Sequence, residues 1–91
     1  MNIAKQHESF TLTDSTDTFE MHGNVTYEVS GGLNIHFRIF NFDDEDLLIC
    51  SYSKYPDTAQ VTFSISASDE NRDELTPYVN AVVAYVLEQL K

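Results

Sequence analysis

The sequence predicts an α+β protein: a five-stranded antiparallel β-meander with one C-terminal helix packed on one face of the sheet. Five segments alternate between apolar and polar residues with period two, as half-buried strands do. The connections between them are three or four residues long, which is the length of hairpin loops. The C-terminal segment instead places apolar residues at helical spacing. We expect one domain over residues 1–91, because the chain is too short for two cores.

The five predicted strands cover residues 8–13, 18–29, 33–42, 47–54 and 59–66. Turn-forming residues separate them at positions 14–17, 30–32, 43–46 and 55–58. Strands joined by such short connections pair with their neighbours in the chain. The strands are therefore expected to lie in the sheet in chain order.

Apolar residues should face one another across each hairpin, and this requirement predicts the register. A three-residue loop at positions 30–32 sets Val29 opposite Leu33 and Tyr27 opposite Ile35. The other loops place further apolar pairs on the same face: Leu12 with Phe19, Phe10 with Met21, Val25 with Phe37, Phe37 with Tyr52, Ile39 with Cys50, Tyr52 with Val61, Cys50 with Phe63, and Leu48 with Ile65. Gly23 falls on this face in mid-strand, which indicates a bend or a bulge.

The C-terminal helix is expected over residues 77–90. Thr76 is suited to the N-cap position and Pro77 to the first helical position. Residues 69–74 could add an irregular or helical turn before the proline. An apolar stripe at helical spacing would face the sheet: Leu75, Val79, Val82, Val83, Val86 and Leu90.

Composition excludes several classes of protein. Five basic residues, spread along the chain, are too few to form a nucleic-acid-binding patch. No apolar run is as long as a membrane span, and residues 1–8 lack the apolar stretch of a signal peptide. The single cysteine, Cys50, cannot form an internal disulfide, and its apolar surroundings predict a buried small hydrophobe. We expect a soluble cytoplasmic protein.

Fifteen acidic residues against five basic ones give a formal charge of −10. In a meander, alternate connections lie at the same end of the sheet. Here those connections hold a single base, Arg72, and ten acids, which we call the acidic end: Asp14, Asp17, Asp43, Asp44, Glu45, Asp46, Asp69, Glu70, Asp73 and Glu74. The acidic end could serve solubility alone. Alternatively, it could dock on a basic surface.

A second candidate surface is the sheet face opposite the helix, which should be polar. An apolar patch interrupts it near the acidic loop: Phe40, Phe42, Leu47 and Ile49. Three alternatives remain open for this patch: residues 1–7 cover it, a bulge turns Phe40 inward, or a partner binds there. The outer helix surface also carries excess apolar residues: Tyr78, Ala81, Ala84, Tyr85 and Leu87. Homodimerisation through either surface is credible.

The sequence shows no catalytic apparatus. In the predicted register His22 opposes Phe40 and His36 opposes Thr26, so the two histidines do not converge as a metal site requires. The acidic run at positions 43–46 could bind Ca²⁺ or Mg²⁺ weakly, but it lacks the spacing of an EF-hand loop. Phosphate-binding glycine loops and nucleophile motifs are also missing from the sequence. We expect no enzymatic activity, no cofactor and no metal.

The sequence therefore predicts a small acidic binding protein that docks on a basic surface of a protein partner. An inhibitor, an immunity protein or a nucleic-acid mimic is the most concrete form, because dispersed carboxylates can imitate phosphates. The predicted partner-binding residues are Asp43, Asp44, Glu45, Asp46, Phe40, Phe42, Leu47, Ile49, Asp69, Glu70, Asp73 and Glu74. Direct binding to nucleic acid or membrane is not expected. The alternative is a homodimeric structural or accessory domain whose acidity serves solubility.

Overall fold

Six antiparallel strands and one helix form the protein in a computed structural model, which describes residues 2–6, 9–28, 32–55 and 60–89. The elements, in chain order, are β1 (Asn2–Gln6), β2 (Ser9–Ser15), β3 (Glu20–Tyr27), β4 (Leu33–Phe40), β5 (Asp46–Lys54), β6 (Val61–Ala67) and α1 (Asp69–Gln89). Each strand pairs with its neighbours in the chain, so the sheet order is β1-β2-β3-β4-β5-β6. The predicted α+β meander with a C-terminal helix is confirmed. The sheet gains one strand, β1, which pairs with β2.

The apolar face is the predicted one, but the register along it differs. Tyr27 opposes Leu33 rather than Ile35, and Ile35 lies between Val25 and Tyr52. The remaining predicted pairs are also displaced: Leu12 opposes Gly23, Phe10 opposes Val25, Phe37 opposes Gly23 and Cys50, Ile39 opposes Met21 and Leu48, Tyr52 opposes Phe63, Cys50 opposes Ile65, and Leu48 opposes Ala67. Every displacement is an even number of residues, so each side chain keeps its face. The predicted pairing of Val29 lies outside the described residues.

The turns explain these displacements. The backbone N–H of Glu28 donates to the carbonyl of Gly32, so the pair that closes this hairpin lies one position earlier in the chain than the predicted pair of residues 29 and 33. The turn between β2 and β3 lies at residues 16–19 instead of 14–17. There Thr16 donates its N–H to the Phe19 carbonyl, and its hydroxyl oxygen accepts the N–H of Phe19. Because the turn starts later, Asp14 belongs to strand β2.

A β-bulge interrupts the pairing of β4 and β5. Ile39 opposes Leu48, but Phe40 opposes Asp46, which leaves Leu47 as the extra residue. The extra residue packs against the core on the helix side of the sheet. A bulge bends its strand and re-aims side chains, and here it removes Leu47 from the face opposite the helix.

The core lies between one sheet face and α1. Its buried members come from β2 to β5 and from the helix: Phe10, Leu12, Met21, Val25, Leu33, Ile35, Phe37, Ile39, Leu48, Cys50, Leu75, Val79, Val82, Val83 and Val86. Gly23 lies in the middle of this face, and the pairing of β3 runs through it without interruption. The alternative of a bulge is therefore wrong. A Cβ atom at this position would collide with Phe37 and with the carbonyl oxygen of His36.

The helix begins eight residues earlier than predicted. Ser68 is the N-cap, because its hydroxyl oxygen accepts the N–H of Asn71 at 3.2 Å and its carbonyl accepts that of Arg72. Thr76 is not a cap: it lies within α1 and donates its hydroxyl to the Arg72 carbonyl. Pro77 likewise lies inside the helix. The last residue of the predicted apolar stripe, at position 90, lies outside the described residues. Within the described residues, no helix combines the length and the apolarity that crossing a membrane requires.

Candidate functional site: the acidic end of the sheet

Three connections meet at one end of the sheet, as the meander predicts. Ser15, Glu20, Phe40 and Asp46 lie at successive paired positions across β2 to β5, so the two hairpin turns that follow them are neighbours. The start of α1 joins them, because the side-chain amide of Asn71 donates to the carbonyl of Leu47 at 3.2 Å. The acidic residues of all three connections are therefore gathered at this end.

The loop between β4 and β5, residues 41–45, has a defined geometry that Asn41 holds in place. Its side-chain oxygen accepts the backbone N–H groups of Asp43 and Glu45, both at 3.0 Å. Its own backbone N–H donates to the carbonyl of Glu45, and its carbonyl accepts the N–H of Asp44. Asp44 adopts a left-handed conformation with φ of 62°, which Asp and Asn tolerate better than most residues. The loop presents its carboxylates from a fixed backbone.

Arg38 neutralises part of the acidic end. Its guanidinium lies 2.6 Å from a carboxylate oxygen of Asp46 and 3.4 Å from one of Asp44. The same group lies over the ring of Phe40, 4.2 Å from the ring centre. Asp44 and Asp46 thus already pair with a cation. Asp43 and Glu45 are exposed and lie outside this ion-pair cluster.

The predicted apolar patch is divided by the structure. Phe40 is only 8% exposed, because Arg38 covers its face and the ring of His22 meets it edge-on at 5.1 Å. Leu47 belongs to the core side, as the bulge requires. Ile49 remains 37% exposed on the polar face and Phe42 is 61% exposed within the acidic loop. The four residues therefore do not form one continuous surface.

The other predicted binding residues lie in the first two turns of α1. Asp69 and Glu70 occupy the first turn, where the exposed N–H groups attract negative charge. Asp73 and Glu74 follow in the second turn, and all four side chains are exposed. Together with Asp17, which is exposed in the β2–β3 turn, they extend the acidic end around the loop at residues 41–45.

Asp14 has a structural role at this end. The hydroxyl of Tyr78 donates a hydrogen bond of 2.6 Å to its carboxylate, and the Tyr78 ring packs edge-on against Phe19 at 5.0 Å. The bond lowers the pKa of Asp14 below its usual range. Burial and the same carboxylate raise the pKa of Tyr78 above its ordinary value. This contact fastens the middle of α1 to strand β2.

Replacing Tyr78 by Phe should lower the free energy of unfolding by about 1 kcal/mol at neutral pH, as expected for a partly exposed hydrogen bond to a charged group. A carboxylate whose pKa is depressed by folding stabilises the fold above its unfolded pKa of about 4, and this contribution disappears as pH falls through the folded value. Urea unfolding at pH 7 and pH 3 should therefore show a smaller penalty at pH 3 than at pH 7. Tyr85→Phe, on the same helix, is the matched control, and an equal penalty at both pH values would contradict the assignment.

The polar face holds both strand histidines without bringing them together. His22 opposes Arg38 and His36 opposes Asn24, rather than the predicted Phe40 and Thr26. A shallow depression of about 290 Å³ lies between them, lined by Thr11, Thr13, His22, Gly23, Asn24, His36 and Arg38. Among the described residues, no three His, Cys, Asp or Glu side chains are grouped closely enough to hold a metal ion.

Cys50 is buried in the core, as predicted from its apolar surroundings. Burial raises the pKa of its thiol to about 11. A protonated thiol without solvent access is a poor nucleophile, so Cys50 acts in the fold as a small apolar side chain.

Comparison with protein families, with curated proteins and with solved structures finds no match for this chain. The functional argument therefore depends on the geometry and the charge of the described residues.

Proposed function

We propose that this protein binds a basic surface of a partner protein through its acidic end, with the loop at residues 41–45 at the centre of the contact. One observation carries the proposal: an exposed aromatic side chain, Phe42, lies beside the exposed carboxylates of Asp43 and Glu45 on a backbone that Asn41 fixes. Aromatic residues are common energetic anchors of interfaces, and surrounding charges steer association. A preformed loop also loses little conformational entropy on binding.

Charge complementarity selects the kind of partner. The acidic end carries most of the net charge of −10, and a surface rich in Lys or Arg would relieve the repulsion among its carboxylates. Surfaces of this kind occur in proteins that bind nucleic acid. An inhibitor or immunity protein that takes the place of the phosphates is the most specific form of the proposal. The proposal includes a cytoplasmic location, supported by the use of the one cysteine as a buried apolar residue.

The test compares two double variants that remove the same amount of charge. Asp43→Asn/Glu45→Gln changes the loop, whereas Glu28→Gln/Glu88→Gln changes exposed residues away from it. With an arginine-rich peptide as the probe, titration calorimetry across a salt series should show about tenfold weaker binding for the loop variant. The loop variant should also show a shallower dependence of affinity on salt, and the control should stay close to the parent protein.

The same titration distinguishes docking from general charge attraction. Equal losses in both double variants would mean that net charge alone binds the peptide, and the loop would then be only a solvated turn. Phe42→Ala adds an independent measurement. It should weaken binding while leaving the salt dependence unchanged, because it removes apolar contact without removing charge.

A homodimeric structural or accessory domain, with acidity serving solubility, is the second candidate function. The surfaces suggested by the sequence offer it little support, because the patch around Phe40 is divided. The outer surface of α1 exposes two small apolar side chains, Ala81 and Ala84, and one large one, Leu87, which is 36% exposed. The observation that favours pairing is a different one, the exposed apolar side chains of Val61 and Phe63 on strand β6.

A further inference from the structure

Strand β6 is an exposed edge of the sheet. It pairs with β5 on one side, and no other element among the described residues pairs with its outer side. Every residue of β6 is exposed except Ile65, which is partly covered. Val61 and Phe63 are 48% and 41% exposed on the helix side, because the buried residues of α1 pack over the strands before it.

This edge lacks the features that normally prevent strands from pairing between molecules. Its sequence, from Val61 to Ala67, contains no charged residue and no proline, and its pairing with β5 is regular throughout. Protected edges usually carry a lysine, a proline or a bulge. An uncharged stretch of β-branched and aromatic residues is unexpected in a chain with a net charge of −10.

The hydrogen-bond pattern shows which backbone groups of β6 point outward. Tyr55 donates its N–H to the carbonyl of Gln60, which marks these two residues as a hydrogen-bonded pair at the start of the hairpin. Hydrogen-bonded pairs alternate along an antiparallel ladder, so Thr62, Ser64 and Ser66 direct their backbone groups toward β5. The outward donors and acceptors therefore belong to the alternate residues: Val61, Phe63, Ile65 and Ala67.

We propose that β6 pairs antiparallel with β6 of a second copy of this chain, about a two-fold axis beside Ser64. This register sets Phe63 of one copy opposite Ile65 of the other, and Val61 opposite Ala67, so every outward backbone group gains a partner. The apolar side chains meet on the helix side, as in favourable cross-strand pairs. Thr62 meets Ser66 on the polar face. Because β6 is self-complementary in this register, the same strand supplies the hydrogen-bond partners and the apolar contacts on both sides of the interface.

The charge distribution also favours a second copy of this chain as the partner, and antiparallel pairing of the two β6 strands. An antiparallel two-fold arrangement places the acidic ends of the two copies at opposite ends of β6. Seven strand residues span about 23 Å, which exceeds the screening length of about 8–10 Å at physiological salt. A parallel arrangement would instead bring the two acidic ends together. The proposed dimer leaves both acidic ends accessible, so it does not depend on the proposed docking function.

The test introduces charged residues at two positions that oppose each other only in the proposed register. Thr62→Lys/Ser66→Lys places like charges opposite each other in the proposed dimer, whereas Thr62→Lys/Ser66→Glu places opposite charges there. Both positions are exposed on the polar face, and circular dichroism verifies that each variant is folded. Sedimentation equilibrium over a concentration series should give twice the monomer mass of 10.4 kDa for the parent protein and for the Lys/Glu variant.

The Lys/Lys variant should remain monomeric, and added salt should strengthen the parent dimer by screening its net charge. A parent protein that stays monomeric at high concentration and high salt would overturn the proposal. So would a Lys/Lys variant that dimerises as well as the parent, since another surface must then be used. If both variants were monomeric, the proposed register would be wrong.

Discussion

Replacing Phe37 by Ala should lower the free energy of unfolding by about 3–5 kcal/mol, which is the usual cost of deleting a fully buried phenylalanine ring. Phe37 is completely buried in β4, an interior strand, and it belongs to the cluster that joins the sheet to α1. Its neighbours in the sheet are Gly23 and Cys50, neither of which can fill the space that the ring would leave. Urea denaturation with intrinsic tyrosine fluorescence measures this loss.

Phe42→Ala is the matched control, because the same atoms are removed from an exposed ring. It should cost much less than the substitution at the buried position. If Phe37→Ala leaves the small domain unfolded, Phe37→Leu gives a smaller and measurable loss. A cost for Phe37→Ala no greater than that of Phe42→Ala would contradict the burial of Phe37.

Gly23→Ala should destabilise the protein by about 2–3 kcal/mol, although it adds only one methyl group to the core face. The new Cβ would meet the Cα and Cβ atoms of Phe37 and the carbonyl oxygen of His36, so the strands themselves would have to separate. Alanine at this position would also improve the strand propensity relative to glycine, and only a steric conflict can reverse that gain. Thermal unfolding followed by circular dichroism measures the difference, with Ala substituted at the exposed Asn24 as control.

A double variant separates a conflict with the backbone from a conflict with the aromatic ring. The atoms that the new methyl group meets are all retained when Phe37 becomes Ala. Most of the cost of Gly23→Ala should therefore persist in the Phe37→Ala background. If removing the ring cancelled the cost, the ring and not the close approach of β3 and β4 would be the reason for glycine.

The alternation of apolar residues determined the faces of the sheet but not its register. A displacement by two residues leaves each side chain on its face, so apolar pairing alone cannot distinguish Tyr27 opposite Ile35 from Tyr27 opposite Leu33. The turns determine the register through hydrogen bonds such as those of Thr16. These bonds stabilise the β2–β3 turn two residues later in the chain than predicted. Such contacts depend on the three-dimensional path of the loop.

The start of the helix was predicted wrongly because two signals competed. Thr76 and Pro77 form a common N-terminal pattern, but Ser68 followed by Asp69 and Glu70 forms another. The earlier start lets the helix continue directly from β6 and bury Leu75, and tertiary packing of this kind outweighs the local cost of an interior proline. Strand β1 was missed because its sequence, NIAKQ, has little apolar alternation.

The acidic end could be predicted because it depends only on strand order and on which loops hold the carboxylates. Its internal contacts could not. The ion pairs of Arg38 with Asp44 and Asp46 require the β5 bulge and the exact register of β4. The partly covered ring of Phe40 follows from the same arrangement. The bond between Tyr78 and Asp14 joins residues 64 positions apart and depends on the path of the helix.

The gathering of carboxylates at one end has a consequence for the molecule as a whole. The sheet face opposite α1 carries mainly Ser, Thr, Asn and His side chains, so little of the negative charge lies there. The negative charge is therefore distributed unevenly and lies mainly at one end of the molecule. In the field of a basic surface the protein experiences a torque before any contact forms, and this torque turns the loop of Phe42 toward that surface. Orientation during approach, rather than attraction alone, is what this distribution of charge provides.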